Sequence, residues 1–316
     1  VKLDVVVPTY NRSELLRRTL SSLLRAPVPD GLDVTILVVD NNSKDDTRQV
    51  VEQMRAGTKR PLIYLRETKQ GLSHARNAGL AAGTGEIIGF IDDDEEVDEQ
   101  WFEVAAREFS DAATQFIGGP YLANCAVPMP AWLPTGYNGV IGVSEPRPRA
   151  LFDAAFRGHL NGGNAVFRRT VFAKVGVYDV RLGRSGKGLL SEEDAELYRR
   201  ILSAGLRGFH VPELIIYHHI PASRLTRKYY RSWCYWRGVS HGVADRERKE
   251  AAAYLFGLPR YRIRQALSGL MALPRNLSAV RGSGAAFHRE LALWDLLGFI
   301  RGKYFVRIES FYPDRN

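Results

Sequence analysis

Apolar residues in the N-terminal third of the chain come in short β-branched bursts, separated by stretches where they recur every third or fourth position. The bursts are Leu3-Asp4-Val5-Val6-Val7, Val34-Thr35-Ile36-Leu37-Val38-Val39, residues 62–65 and Ile87-Ile88-Gly89-Phe90-Ile91. Runs of this length and composition predict buried strands. Between them, Leu15, Leu16, Leu20, Leu23 and Leu24 share one helical face that Pro27 ends, and Val50, Val51 and Met54 share another. Ser13 is the expected cap of the first of these helices. A third helix is predicted from about Ser73 to Ala82, with Gly83 terminating it. Strand and helix in alternation predict a Rossmann-like, mostly parallel sheet with helices on both faces. In such sheets ligands sit beyond the carboxyl ends of the strands.

Further on, a helix is expected around Trp101 to Phe109, after which periodicity weakens and residues 119–160 become rich in Gly and Pro. Asn161-Gly162-Gly163-Asn164 is expected to turn or to bind an acceptor before a short strand at 165–167. A basic loop, 181–188, runs into Ser191-Glu192-Glu193-Asp194, the start of a helix whose stripe is Leu197, Ile201 and Ala204 and which Gly205 ends. The strand 214–217 terminates in His218-His219. From there the pattern becomes helical, with bases and aromatics interleaved over 224–237 and amphipathic stretches near 260–273 and 287–301. The expected division is an α/β domain over residues 1–221 and a mainly helical C-terminal region over 222–316.

Composition changes this picture only through charge. The 316 residues are 45% apolar and 25% charged, as in an ordinary globular protein. The net charge of +9 is lopsided: residues 222–316 hold 18 basic and 7 acidic groups, leaving 26 basic and 28 acidic in residues 1–221. A strongly basic tail on a near-neutral body points to an anionic partner. Basic helices bearing Trp and Tyr suit a membrane interface; the alternative is a plain helical subdomain with an aromatic core and solvated bases. No nucleic-acid-binding motif is present, so nucleic acid is not expected as a partner. No apolar run reaches the length of a membrane span, and no basic-then-apolar leader is visible. Cys125 and Cys234 match no metal or redox spacing. The expectation is a reduced, cytoplasmic protein, peripheral on the inner face of the cell membrane.

The candidate chemistry gathers where the fourth strand ends in Asp92-Asp93-Asp94-Glu95-Glu96. If the strand geometry continues, Asp92 and Asp94 face one way and Asp93 the other. Two carboxylates converging there would suit a hard divalent cation that keeps waters and takes phosphate oxygens. The competing reading is a solvated acidic loop with Asp98 capping the next helix.

Four segments in order carry a family likeness. Val5-Val6-Val7-Pro8-Thr9-Tyr10-Asn11, Val38-Val39-Asp40-Asn41-Asn42-Ser43, Ala75-Arg76-Asn77-Ala78-Gly79 with Ile91-Asp92-Asp93-Asp94, and Glu193-Asp194 together resemble family 2 glycosyltransferases of the GT-A fold. The resemblance implies a nucleoside diphosphate sugar donor (a UDP-sugar favoured), a Mg2+ or Mn2+ ion, inversion at the anomeric carbon, and a saccharide or lipid-linked acceptor. Position by position, it implies that Pro8, Thr9, Tyr10 and Asn11 line the nucleoside pocket and that Asp40 bonds the base. Arg76 then lies near ribose and diphosphate, and Asp92 approaches the ribose with Asp93 beside it. It also implies that Asp94, third acid of a DXD motif, binds metal with one of His218 and His219, and that Asp194 is the general base with Glu193 the alternative. Asn41 departs from the pattern, since many relatives carry an acid there, which leaves the nucleotide base open. Asp194 also fits a capping box with Ser191. The 181–188 loop is a candidate lid over the donor. Two other readings stay in play, a metal-dependent nucleotidyltransferase and a non-catalytic nucleotide-sugar-binding protein.

Overall fold

A computed structural model describes residues 1–133, 138–144, 147–156, 158, 160–183, 193–247, 252–277 and 284–306. The chain divides into two compact units, Val1–Asn124 with Val143–His219, and Cys125–Gly142 with Ile220–Asn316.

The first unit begins with the expected alternation: β1 (Lys2–Thr9), α1 (Ser13–Arg25), β2 (Asp33–Asp40), α2 (Thr47–Ala56), β3 (Leu62–Arg66), α3 (Leu72–Ala82) and β4 (Ile87–Phe90). It continues through β5 (Glu95–Val97), α4 (Trp101–Phe109), β6 (Phe116–Gly118), β7 (Tyr121–Cys125), β8 (Ala150–Leu151), β9 (Ala165–Arg168) and α5 (Arg169–Val175). The helix α6 (Glu193–Ser203), β10 (Gly208–His210) and β11 (Ile216–Ile220) complete it. The main sheet has eight strands in the order β3-β2-β1-β4-β9-β6-β10-β8, and a second sheet has the order β5-β11-β7. Strands β1 to β4 are mutually parallel, whereas β9 runs antiparallel to both β4 and β6.

Alternation along each strand builds two cores. Val5, Val7, Ile36, Val38 and Ile87 meet Leu16, Leu20 and Leu23 of α1 with Trp101 and Phe102 of α4 on one face. Val6, Leu37, Val39, Ile88 and Phe90 meet Ala75 and Leu80 of α3 with Leu197 and Ile201 of α6 on the other. Helix α3 comes close to the sheet because Gly79 has no side chain; a Cβ there would lie 2.3 Å from a methyl carbon of Val6 and 3.2 Å from one of Val39.

Two expected caps are replaced. Arg12 occupies the position before α1, and the Ser13 backbone N–H donates to Asp45, 3.0 Å away in the next loop. Gln100 precedes α4, and Asp98 instead accepts the Gln100 N–H at 3.0 Å.

The second unit contains α7 (Arg227–Glu247), a hairpin of β12 (Tyr254–Leu255) and β13 (Leu258–Pro259), α8 (Arg260–Leu277) and α9 (Gly284–Tyr304). Helices α7 and α9 meet backbone to backbone through glycines spaced four apart on each, a spacing that brings helix axes together. A Cβ on Gly238 would lie 2.0 Å from the Asp295 carbonyl oxygen, and one on Gly302 2.1 Å from that of Val239. Three bases of α7 and α9 are drawn into ion pairs between these helices: Arg231 pairs with Glu290 at 2.5 Å, Arg237 with Asp295 at 2.8 Å, and Lys303 with Asp245 at 2.6 Å. Arg262 of α8 also pairs with Asp295. The stretch expected to be amphipathic near 287–301 lies in a helix that buries Phe287, Leu291 and Phe299 with these acids. No helix among the described residues is long and apolar enough to cross a membrane.

The contact under α3 predicts that Gly79→Ala overpacks the junction with β1 and β2. Such changes cost about 1–3 kcal/mol, which a lowered urea midpoint at unchanged slope will show.

Candidate active site

The acidic run is a turn, not an extension of the strand. β4 stops at Phe90, the Glu95 N–H donates to the Asp92 carbonyl at 3.2 Å, and the Glu95 carboxylate accepts the Asp92 N–H at 2.8 Å. The expected alternation is therefore lost after the strand, and Asp93 and Asp94 both bond Nη1 of Arg12, at 2.9 and 3.1 Å. Thr9 at the end of β1 donates its hydroxyl to Asp93 at 2.8 Å. Burial pushes the Asp93 carboxyl up to about 6, with Asp94 adding to the rise while Arg12 opposes it. Burial, then the charges of Asp92 and Asp94, hold Glu95 well above the usual carboxylate range. Arg12 in turn holds its proton more tightly, through Asp93 first and then, against the cost of burial, Asp94.

A second cation sits deeper. Arg76, on α3, is buried, and its guanidinium bonds Asp194 at 2.7 Å and Asp92 at 3.1 Å, lies 3.5 Å from Glu193, and stacks 5.3 Å over the Tyr178 ring. Burial alone would weaken its hold on the proton, yet Asp194 and Asp92 outweigh that. Asp194 and Asp92 remain partly open, at 28% and 32% exposed, whereas Glu193 is 6% exposed. The other oxygen of Asp194 accepts the Gly162 N–H at 3.1 Å. Both of these bonds lead away from a capping box, whose Ser191 lies outside the described residues. So do Glu192 and residues 184–188 of the expected lid; Arg181 at its start bonds Asp179 at 2.5 Å.

The 161–164 loop presses against these acids because of its strand register. Ala165, first residue of β9, pairs with Phe90, last residue of β4, so the loop emerges beside Asp92. A Cβ on Gly162 would lie 2.1 Å from Asp194, and one on Gly163 2.5 Å from Glu95. Asn164 is a framework residue: it accepts from the Trp101 indole at 3.0 Å and donates to the Leu214 and Pro120 carbonyls at 2.7 and 3.3 Å.

On the β1–β2 side of the rim, Asp40 accepts the Ser43 N–H at 2.8 Å and the Tyr64 hydroxyl at 2.6 Å. Burial, and then that bond, push Tyr64 up to about 12. Asn41 donates to the Glu67 and Lys69 carbonyls at 3.3 and 2.7 Å and accepts from Gln70 and the Gly71 N–H at 3.1 and 2.7 Å. Asn11, left-handed at φ 53°, accepts the Lys44 N–H at 2.7 Å. Pro8 is a buried residue of β1 and Tyr10 is exposed just past it. Arg12, Glu95, Tyr64 and Tyr178 were not among the expected site residues. Only the first two, beside recognised motifs, had a signal to follow.

Residues 4–176, more than half of the chain, match the model of glycosyl transferase family 2. The chain belongs to that family. This glycosyltransferase is 26% identical to the succinoglycan biosynthesis protein ExoM of Rhizobium meliloti over 76% of the chain and 74% of that protein. It is also 26% identical to the glucosyl-dolichyl phosphate glucuronosyltransferase of Haloferax volcanii over 78% of each. Its fold is GT-A. The mannosyltransferase PcManGT of Pyrobaculum calidifontis, solved with GDP-Man and Mn2+, superposes with a TM-score of 0.64 at 18% identity, covering 96% of this chain and 88% of that one.

Among the described residues, Asp94 and His218 bring together donors of a kind that suits a divalent ion. His218, in register opposite Glu95, puts Nε2 3.5 Å from Asp94 Oδ2. Its neighbour His219 points to the opposite face, its Nδ1 3.2 Å from Arg18, and only its backbone N–H reaches Asp94, at 2.8 Å from the carbonyl. Among the described residues no three His, Cys, Asp or Glu side chains form a closed metal cage. One carboxylate and one imidazole, with the Arg12 guanidinium on the same Asp94 oxygen, fit an ion that takes its remaining ligands from water and a diphosphate, rather than a structural zinc.

Asn41→Asp removes two donors from the Glu67 and Lys69 carbonyls and sets a charge beside them. The expected cost is about 1–3 kcal/mol, read as a lower melting temperature, with the loss greater at pH 8 than at pH 4 as the carboxyl ionises.

Proposed function

We propose that this glycosyltransferase moves a sugar from a nucleoside diphosphate donor to a hydroxyl of a saccharide or lipid-linked acceptor, with inversion and with a Mg2+ or Mn2+ ion held by Asp94 and His218. The observation that carries this reading is the Asp194 carboxylate, partly exposed on the same rim as Asp94 and fixed by Arg76 and the Gly162 N–H. The Asp93–Arg12 pair and Thr9 brace the turn that presents Asp94. When bound, the ion supplies Lewis-acid stabilisation of the leaving diphosphate. Asp194 takes the proton from the attacking hydroxyl, a contribution of about 10²–10⁴-fold, and one such base with in-line attack inverts the anomeric carbon. Glu193 is the less suited base because it is buried. Arg76, whose described partners are these acids, serves to hold Asp194 and Asp92 rather than to grip phosphate. On the nucleoside side, Pro8, Thr9, Tyr10, Asn11 and Asp40 frame the pocket, and Tyr64 is the group a base would displace from Asp40. A UDP-sugar is the first donor to test and a GDP-sugar the second. The basic second unit meets the cytoplasmic face of a membrane, where lipid-linked acceptors are found.

Two variants separate the roles. Asp194→Asn keeps the donor-induced thermal shift and loses turnover by about 10²-fold or more; retained turnover places the base elsewhere. Asp94→Ala abolishes the additional shift that Mn2+ gives with a nucleotide sugar, since only ligand binding to the folded state raises the melting point. An unchanged Mn2+-dependent shift removes Asp94 from the metal site.

A further inference from the structure

The charges of the second unit are sorted by depth. Its acids with described side chains, Asp245, Glu290 and Asp295, are all buried and paired with Lys303, Arg231, Arg237 or Arg262. The described outer surface of this unit therefore carries bases and no acid. On α8, Arg262, Ala266 and Gly269 face inward, which leaves Arg260, Arg264, Leu267 and Met271 along the opposite ridge with Leu270 at its flank. Leu267, Leu270 and Met271 are 58%, 53% and 76% exposed. Arg260 and Arg264 have no ion-pair partner among the described residues. The hairpin leading into this helix ends on Phe256, which is 89% exposed and held at φ 50°. A bulky residue in the left-handed region costs conformational energy, and here it carries an aromatic ring into solvent.

We propose that the α8 ridge and the hairpin tip are a lipid-contact surface, with Leu267, Leu270, Met271 and Phe256 entering the interface while Arg260 and Arg264 hold anionic headgroups. The proposal rests on the reading that the second unit meets a membrane. Apolar residues beside bases on one helical face are the pattern of interfacial helices, and the lack of acids among the described surface residues matches an anionic leaflet. A second copy of the chain fits less well, because a two-fold contact through this ridge sets Arg260 and Arg264 near their own counterparts.

The test is flotation of the full chain with vesicles of phosphatidylcholine alone or with phosphatidylglycerol. Wild type floats with the phosphatidylglycerol vesicles, and less so as salt rises. Arg260→Gln with Arg264→Gln lowers partitioning about 25-fold, roughly fivefold for each base near the surface. Leu267→Asp with Met271→Asp lowers it at least tenfold, and Leu267→Ser with Met271→Ser replaces that variant if its melting temperature falls. Arg289→Gln, elsewhere on α9, changes it least. Absent flotation of wild type, or equal flotation of the ridge variants, overturns the proposal. So does a wild-type dimer that the ridge variants convert to monomer without any loss of flotation. Donor-induced thermal shifts are measured alongside: a chain that floats but shows no donor shift defeats the catalytic reading and leaves the surface standing.

Discussion

Six carboxylates crowd one end of the first unit, and the cost of keeping them charged there governs what surrounds them. Like charges at close range resist ionisation, and burial adds to that resistance. The first unit meets this with two guanidinium groups of different character. Arg76 is buried and shared by Asp92, Asp194 and Glu193. Arg12 is about a third exposed and spans Asp93 and Asp94. The acids on the sheet turn and the acid on α6 are thus bound into one electrostatic unit through a residue on a third element.

That dependence explains why the Ala75-Arg76-Asn77-Ala78-Gly79 motif acts as a single device. Ala75 and Gly79 let α3 press on β1 and β2, which fixes the depth of Arg76. Asn77 brackets Tyr178, donating to its carbonyl at 2.8 Å and accepting its N–H at 3.0 Å. Tyr178 then closes over the Arg76 guanidinium. Only the arginine carries charge to the acids; its neighbours hold it where that charge is felt.

The parallel half of the sheet was legible because β1 to β4 are short apolar runs bounded by turn residues and α1 and α2 repeat every 3.6 residues, and the strand ends announced the rim. Strands β6, β8 and β10 have two or three residues each and offer no period to detect. Several polar residues on the rim resembled ligand chemistry and are framework instead. Asn41 and Asn164 tie down backbone carbonyls of neighbouring segments, and a single sequence does not distinguish an amide that binds a ligand from one that binds a carbonyl. The inward pairing of Arg231, Arg237 and Lys303 was hidden for a similar reason. Each pairs between α7 and α9 with an acid 58 or 59 residues away, and composition records the charge of a helix but not which neighbour neutralises it.

The reversed direction of β9 has a consequence for how this enzyme can diversify. Because its first residue is locked opposite the last residue of β4, the Gly162-Gly163 shoulder is anchored by pairing in the sheet and not by the chain that leads into it. Exposed positions of the connecting sequence between β7 and β9 can therefore vary without moving the Gly162–Asp194 contact.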